Sequence, residues 1–172
     1  VGSEMCIRDS QGTIGLEVDQ DAPPDLRHIL VPVGGGGLIS GIALAMRHLR
    51  PDVEVVGVEP ENGASLTAAM KAGGPVPIEP LPTCADGLQP RLTGAISYEV
   101  CKDGPMPVLV TEDELIEAVR YCLDEVRLVV EPSGAAGIAA LLSRKFRPRG
   151  PTAVIVSGSN LDRRWLMKAL GL

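Results

Sequence analysis

Ile29-Leu30-Val31-Pro32-Val33 is an unbroken apolar run, four glycines (Gly34, Gly35, Gly36 and Gly37) follow it, and an apolar helix opens directly behind them at Leu38-Ile39-Ser40-Gly41-Ile42-Ala43-Leu44-Ala45-Met46. A buried strand, a turn without side chains and a helix start leave few fold options. Glycine lets the main chain bend freely and lets a ligand approach the backbone. The free N–H groups of a helix start, at the positive end of its dipole, suit an anion such as phosphate. A tight strand-to-helix turn needs one or two glycines. Four in a row point to a phosphorylated small molecule held at Gly34–Leu38.

Similar units recur along the chain. Val53–Val58 reads as a second buried strand, rich in β-branched residues and of the kind found in parallel sheets. Ser65–Lys71 reads as a short helix, and the proline-bearing stretch from Gly74 to Thr83 as an extended loop. Pro107–Val110 is a third strand. Thr111 and Glu114 then form a capping box that opens a helix with an apolar stripe at Leu115, Val119, Cys122, Leu123 and Val126. Gly134–Phe146, rich in Ala and Gly, reads as a helix lying close to a neighbour. Thr152–Val156 is a strand and Leu161–Leu170 a terminal helix, in which Trp165 serves packing. Thr13–Gln20 reads as the last turns of a helix that begins upstream. This alternation predicts an α/β fold, a mostly parallel open sheet with helices on both faces. Ligands bind such sheets at the carboxyl ends of the strands, where the glycine run and Ser157-Gly158-Ser159-Asn160 both fall.

The 172 residues suit one domain, and the net charge of −6 without a basic cluster argues against nucleic acid as a partner. No apolar stretch is long enough to span a membrane. Cys6, Cys84, Cys101 and Cys122 lack C-x-x-C spacing, so buried reduced thiols and a cytoplasmic setting are expected. A dinucleotide site would explain Glu59 at the end of the second strand as a ribose partner. However, the glycine spacing misses G-x-G-x-x-G, with Ile39 or Ser40 at the third position.

Seven ordered motifs carry a more specific likeness. They are Gln11-Gly12-Thr13-Ile14, VPVGGGGLISGIA (31–43), GVEP (57–60), ADGL (85–88), VTEDEL (110–115), VVEPSGAAGIAALL (129–142) and VSGSNLD (156–162). Together they resemble the C-terminal half of the fold-type II pyridoxal-phosphate enzymes, most of all threonine dehydratase (threonine ammonia-lyase) and serine racemase. The resemblance implies the tryptophan synthase β-like sheet and pyridoxal 5′-phosphate as cofactor. Its phosphate would lie in the main-chain cup of Gly34, Gly35, Gly36, Gly37 and Leu38. Ser157, followed by Gly158, would meet the pyridine nitrogen; a neutral serine leaves that nitrogen unprotonated, which suits loss of a β-hydroxyl. Asp86 and Gly87 would lie beside the ring, and Glu131 and Ser133 near the ring face and substrate end. Ser159 departs from the family, where glycine is usual.

Glu59, Gly63 and Ser65 match positions at which some members bind Mg2+ or another divalent cation. Ser65 stands there in place of a second carboxylate, although hard cations favour charged oxygens; the other reading of Glu59 is a solvated acid at a strand end. The implied activity is dehydration of L-threonine or L-serine to a 2-oxo acid and ammonia by a homodimer. Serine or aspartate racemisation on the same scaffold, or a remnant that only binds phosphate ligands, are the alternatives. The lysine that carries the cofactor belongs to the family's N-terminal half. Lys71, Lys102, Lys145 and Lys168 lack its motif, so no catalytic residue is assigned, and residues 11–172 are expected to be an inactive cofactor-binding fragment. His28 and His48 are expected at the surface or a helix end. Glu4–Ser10 (EMCIRDS) resembles the translation of a transposon mosaic end used in sequencing adapters, so residues 1–10 are expected to be extraneous.

Overall fold

Four short strands, β1 (His28–Pro32), β2 (Glu54–Pro60), β3 (Val108–Val110) and β4 (Thr152–Val154), form one parallel sheet in the order β3-β2-β1-β4. The computed structural model that gives this sheet describes residues 2–172, with side chains from Ser10 onward. In register, Val31 lies opposite Gly57 and Leu30 opposite Val154. Parallel neighbours cannot be joined by a tight turn, so every strand-to-strand connection carries helix. The helices are α1 (Gly2–Asp21), α2 (Gly37–Leu49), α3 (Ser65–Ala72), α4 (Ala95–Cys101), α5 (Glu112–Tyr121), α6 (Ala136–Leu142) and α7 (Arg163–Ala169).

Alternation along β1 divides the core between the two faces. Ile29 and Val31 pack with Ile42 and Met46 of α2 and Leu66 of α3, while Ile14 and Val18 of α1 close that layer from outside. Leu30 points the other way, joining Val56 and Val58 against Leu115 and Val119 of α5 and Ala136 and Ala140 of α6. Helices thus cover both faces, as the sequence predicts. The small residues of α6 have the expected cause: a Cβ on Gly137 would lie 2.6 Å from Val154 Cγ1, so the helix rests almost on the sheet.

Several boundaries differ for local reasons. α6 starts later than Gly134 because Pro132–Ala135 form a turn, with the Ala135 N–H donating to the Glu131 carbonyl. It ends early because Arg144 is left-handed (φ 58°) and the Phe146 N–H reaches back to the Ala140 carbonyl. The capping box at Thr111 and Glu114 is present, but past Tyr121 the helix widens into a π-turn over Cys122–Val126 that Arg127 stops at φ 62°. α4 is absent from the sequence reading. Its cues, Ile96 and Val100 on one side, are too few to stand out beside the prolines upstream. α1 begins at Gly2, so the backbone of residues 2–10 continues the helix expected only from Thr13. Val1, and the side chains of residues 2–9 including Cys6, lie outside the described residues.

His28 is corrected outright. It is the first residue of β1, buried, with its ring edge-on to Phe146 at 5.1 Å and Nδ1 3.3 Å from Thr152 Oγ1. Burial pushes its pKa down, against the pull of Glu54. His48 is exposed in the last turn of α2, as expected. Cys84, Cys101 and Cys122 are free and buried. Among the described residues no helix is long and apolar enough to cross a membrane.

Candidate functional site

β1 is the strand at which the order of strand addition reverses, with β2 on one side and β4 on the other. The loops leaving the carboxyl ends of β1 and β4 therefore emerge side by side, where open α/β sheets bind ligands. The first loop is the glycine run and the second contains Ser157. Between them lies a cavity of about 510 Å3, lined by Gly34–Leu38 on one side and by Glu131, Ser133 and Ser157 on the other. That volume is typical of small-molecule sites.

The glycine run forms a cup because its peptides are tied outward. Gly36 caps α2 in a left-handed conformation, φ 93°. Its carbonyl accepts from the Ser40 N–H at 3.0 Å, and Ser40 Oγ donates to the Gly37 carbonyl at 3.1 Å. The first N–H groups of α2 have no intrahelical acceptor and open toward an anion.

The opposite wall is two interlocked turns. The Glu131 N–H donates to the Gly158 carbonyl at 3.1 Å. A Cβ on Gly158 would sit 1.8 Å from Glu131 Oε1, so this side chain lies flat across the Gly158 main chain. Ser133 Oγ accepts from the Gly87 N–H at 3.1 Å, hanging the 86–88 turn beside the cavity. Of the expected ring-side residues, Gly87 lines the cavity, whereas Asp86 and Gly158 support the wall without lining it. Sequence reading missed Gln11, Leu88, Leu92, Gly94 and Ser97, which also line it. Gln11 and Leu88 carried a signal, as parts of the Gln11–Ile14 and ADGL motifs.

Glu59, Gly63 and Ser65 do not form a cation site of the expected kind. Glu59 is fully buried, which also removes its reading as a solvated acid. Its Oε1 accepts from the Leu66 N–H at 2.7 Å, and its Oε2 from the Thr67 N–H at 2.9 Å and Thr67 Oγ1 at 2.6 Å. Both oxygens are thus spent on the first turn of α3, whose dipole favours a negative charge there. Burial lifts the Glu59 pKa by more than these three donors lower it. Ser65 Oγ is paired with Thr93 Oγ1 at 2.9 Å. Among the described residues no three His, Cys, Asp or Glu side chains converge as a metal site. A single carboxylate already saturated by N–H and O–H donors does not suit a hard cation.

A phosphate-bearing pyridine fits the other cavity. The main-chain cup would take the phosphate, and the Ser157 hydroxyl lies on the facing wall. At Gly36 any Cβ would collide with Ser97 at 2.6 Å, so the cup stays bare of side chains. The four lysines, Lys71, Lys102, Lys145 and Lys168, are all exposed and outside this cavity.

Comparison with known proteins agrees with this geometry. The family model "Pyridoxal-phosphate dependent enzyme" matches residues 2–158. The chain is 39% identical over 153 residues to an L-threonine ammonia-lyase of Thermotoga maritima, covering 88% of this chain and 38% of that protein. It is 37% identical over 168 residues to a serine racemase of Oryza sativa subsp. indica, covering 93% and 49%. It therefore spans less than half the length of these two curated relatives. Among solved structures, the processed form of threonine deaminase isoform 2 from Solanum lycopersicum superposes with a TM-score of 0.85 at 34% identity, covering 94% of this chain and 48% of that one. Maize serine racemase superposes at 0.82 and 32% identity, covering 96% and 52%. With a bare glycine cup facing a serine at the switch point of a parallel sheet, the chain belongs to the pyridoxal-phosphate-dependent enzymes of fold type II, in the family of the threonine ammonia-lyases and serine racemases.

Proposed function

We propose that this chain is the cofactor-holding part of an enzyme that removes the β-hydroxyl of L-threonine or L-serine, releasing a 2-oxo acid and ammonia. The observation that carries the reading is the main-chain cup at Gly34–Leu38 facing Ser157 across one cavity. When bound, pyridoxal phosphate supplies a conjugated ring that withdraws electrons from the amino acid's α-carbon. The chain's own contribution is to bind and orient. N–H groups from Gly35 to Leu38 take the phosphate without spending a charged side chain. Ser157, the neutral hydroxyl, meets the ring nitrogen without giving it a full proton. Glu131 and Ser133 border the substrate end, and the Asp86-Gly87 turn, held by Ser133, borders the ring.

Residues 11–172 form this unit in our reading, with residues 1–10 extraneous to it. No lysine lies in the cavity, so the chain by itself is expected to be inactive and to gain activity from a lysine-bearing partner segment. The whole enzyme would act as a homodimer on free amino acids, without nucleic acid or membrane. Three buried free thiols suit the reducing cytoplasm. Racemisation of serine is the second reading, favoured by the rice and maize relatives at nearly the same identity as the ammonia-lyases.

Calorimetric titration tests the site with two aldehyde-free ligands, pyridoxine 5′-phosphate and pyridoxine. Binding of the first and much weaker binding of the second is expected. Equal affinity for both, or none for either, would overturn the reading. Assay of the intact gene's product on L-threonine and L-serine then separates the chemistries: 2-oxo acid marks the lyase, D-serine the racemase.

A further inference from the structure

Three contacts bear on the glycine cup from Gly94 and the first turn of α4. The Gly94 N–H donates to the Gly35 carbonyl at 3.1 Å. Ser97 presses against Gly36: a Cβ built there would lie 2.6 Å from Ser97 Cβ and 3.6 Å from Thr93 Cγ2. Ser97 Oγ also lies 3.4 Å from Ser40 Oγ. Ser40 has one hydroxyl proton and gives it to the Gly37 carbonyl, so across that longer contact Ser97 is the donor. The segment is anchored from behind, where fully buried Thr93 and Ser65 share the 2.9 Å hydroxyl pair at the start of α3.

A trans peptide holds its C=O and N–H on opposite sides. Tying the Gly35 carbonyl to Gly94 therefore turns the Gly36 N–H away from α4, and tying the Gly37 carbonyl to Ser40 turns the Leu38 N–H away from the body of α2. Glycine has the widest conformational freedom of any residue, so a run of four would otherwise sample many peptide orientations. Preorganised donors bind more tightly because the ordering cost is met before the ligand arrives.

We infer that Thr93 and Ser97 are positioning residues for the anion cup: together with Gly94 they brace the Gly35–Leu38 peptides so that their N–H groups face the ligand. The inference rests on the phosphate-cup reading and adds to it a brace that acts through the orientation of the cup's peptides. It also gives a role to hydroxyls that no sequence motif marks.

The test uses Thr93→Val and Ser97→Ala, which remove the hydroxyls, beside Thr93→Ser and Ser97→Thr, which keep them. Inorganic phosphate and pyridoxine 5′-phosphate are titrated while the amide resonances of Gly34–Gly37 are followed by NMR, and thermal unfolding is recorded for each variant. Losing one buried hydrogen bond behind the cup is expected to weaken both phosphate ligands by about three- to tenfold. The Gly36 amide should move in the ligand-free protein, and the hydroxyl-keeping variants should restore both readouts. Wild-type affinity and an unmoved Gly36 amide in Thr93→Val and Ser97→Ala would overturn the brace while leaving the cup intact. Weakening that tracks only the loss of thermal stability, with no rescue by Ser or Thr, would also overturn it. A wild-type chain that binds neither phosphate nor pyridoxine 5′-phosphate overturns the cup reading and the brace with it.

Discussion

Replacing Glu59 with Gln is the sharpest test of how the start of α3 is held. The substitution keeps shape and volume but exchanges one acceptor oxygen for an NH2 group. Three donors converge on the carboxylate: the Leu66 N–H at 2.7 Å, the Thr67 N–H at 2.9 Å and the Thr67 hydroxyl at 2.6 Å. The glutamine keeps the most bonds by aiming its oxygen at Thr67, which sets its NH2 against the Leu66 N–H. One charge-assisted bond is then lost and a buried donor is left facing another donor. That costs about 2–3 kcal/mol. For a domain of this size, each kcal/mol lowers Tm by about 2–4 °C, so a drop of roughly 4–12 °C is expected. The assay is thermal and urea unfolding at pH 7 with EDTA present, then with excess Mg2+. A loss below about 0.5 kcal/mol in EDTA would refute the capping role. So would a large rise in wild-type Tm with Mg2+ that Glu59→Gln abolishes, because binding linkage would then place a cation on the carboxylate.

Gly36→Ala places a Cβ at φ 93° and 2.6 Å from Ser97; calorimetry is expected to show at least about tenfold weaker pyridoxine 5′-phosphate binding, and unchanged affinity would remove Gly36 from the cup. Burial alone would raise the Glu114 pKa, but the Thr111 N–H and Lys145 outweigh it and hold it below its usual value. A lowered folded-state pKa gives stability that is full above the unfolded value and lost as pH falls through the folded one. Glu114→Gln should therefore cost about 1 kcal/mol at pH 7 and progressively less as pH drops below about 4.5, read from urea midpoints; a gap that widens in acid would contradict this. Burial pushes the Cys84 thiol up to about 12 and the Cys101 thiol up to about 11. Both should stay unmodified by iodoacetamide at pH 8 in the native protein and react after unfolding, as peptide mass mapping would reveal. Rapid native-state labelling of either would mean that the loop around Cys84 or the end of α4 opens readily.

Much of the architecture is legible without coordinates because its signals are local. The apolar run before Gly34 can only be a buried strand, the glycines can only turn, and Thr111 with Glu114 caps the next helix through neighbours three residues apart. Periodicity and caps act within one turn or one strand, so strand and helix positions survive reading one residue at a time. The ends of α5 and α6 did not, because a π-turn and left-handed Arg127 and Arg144 follow no composition rule. His28 was misplaced for a related reason: a histidine at a strand start looks solvated until Phe146 and Thr152, more than a hundred residues on, close over it.

The candidate site divides along the same line. By itself the sequence determined the bare cup proposed to take the phosphate, since that cup depends on four adjacent glycines, and its ordered motifs marked Ser157 as the facing hydroxyl. Only the tertiary structure decided what holds that cup open and what Glu59 does. Gly94 meets Gly35 across a gap of nearly sixty residues, and Glu59 reaches over a turn to cap α3 instead of facing a cation. Hydrogen bonds between distant segments, and burial that leaves a carboxylate no partner but the nearest helix start, come into being only when the sheet brings those segments together.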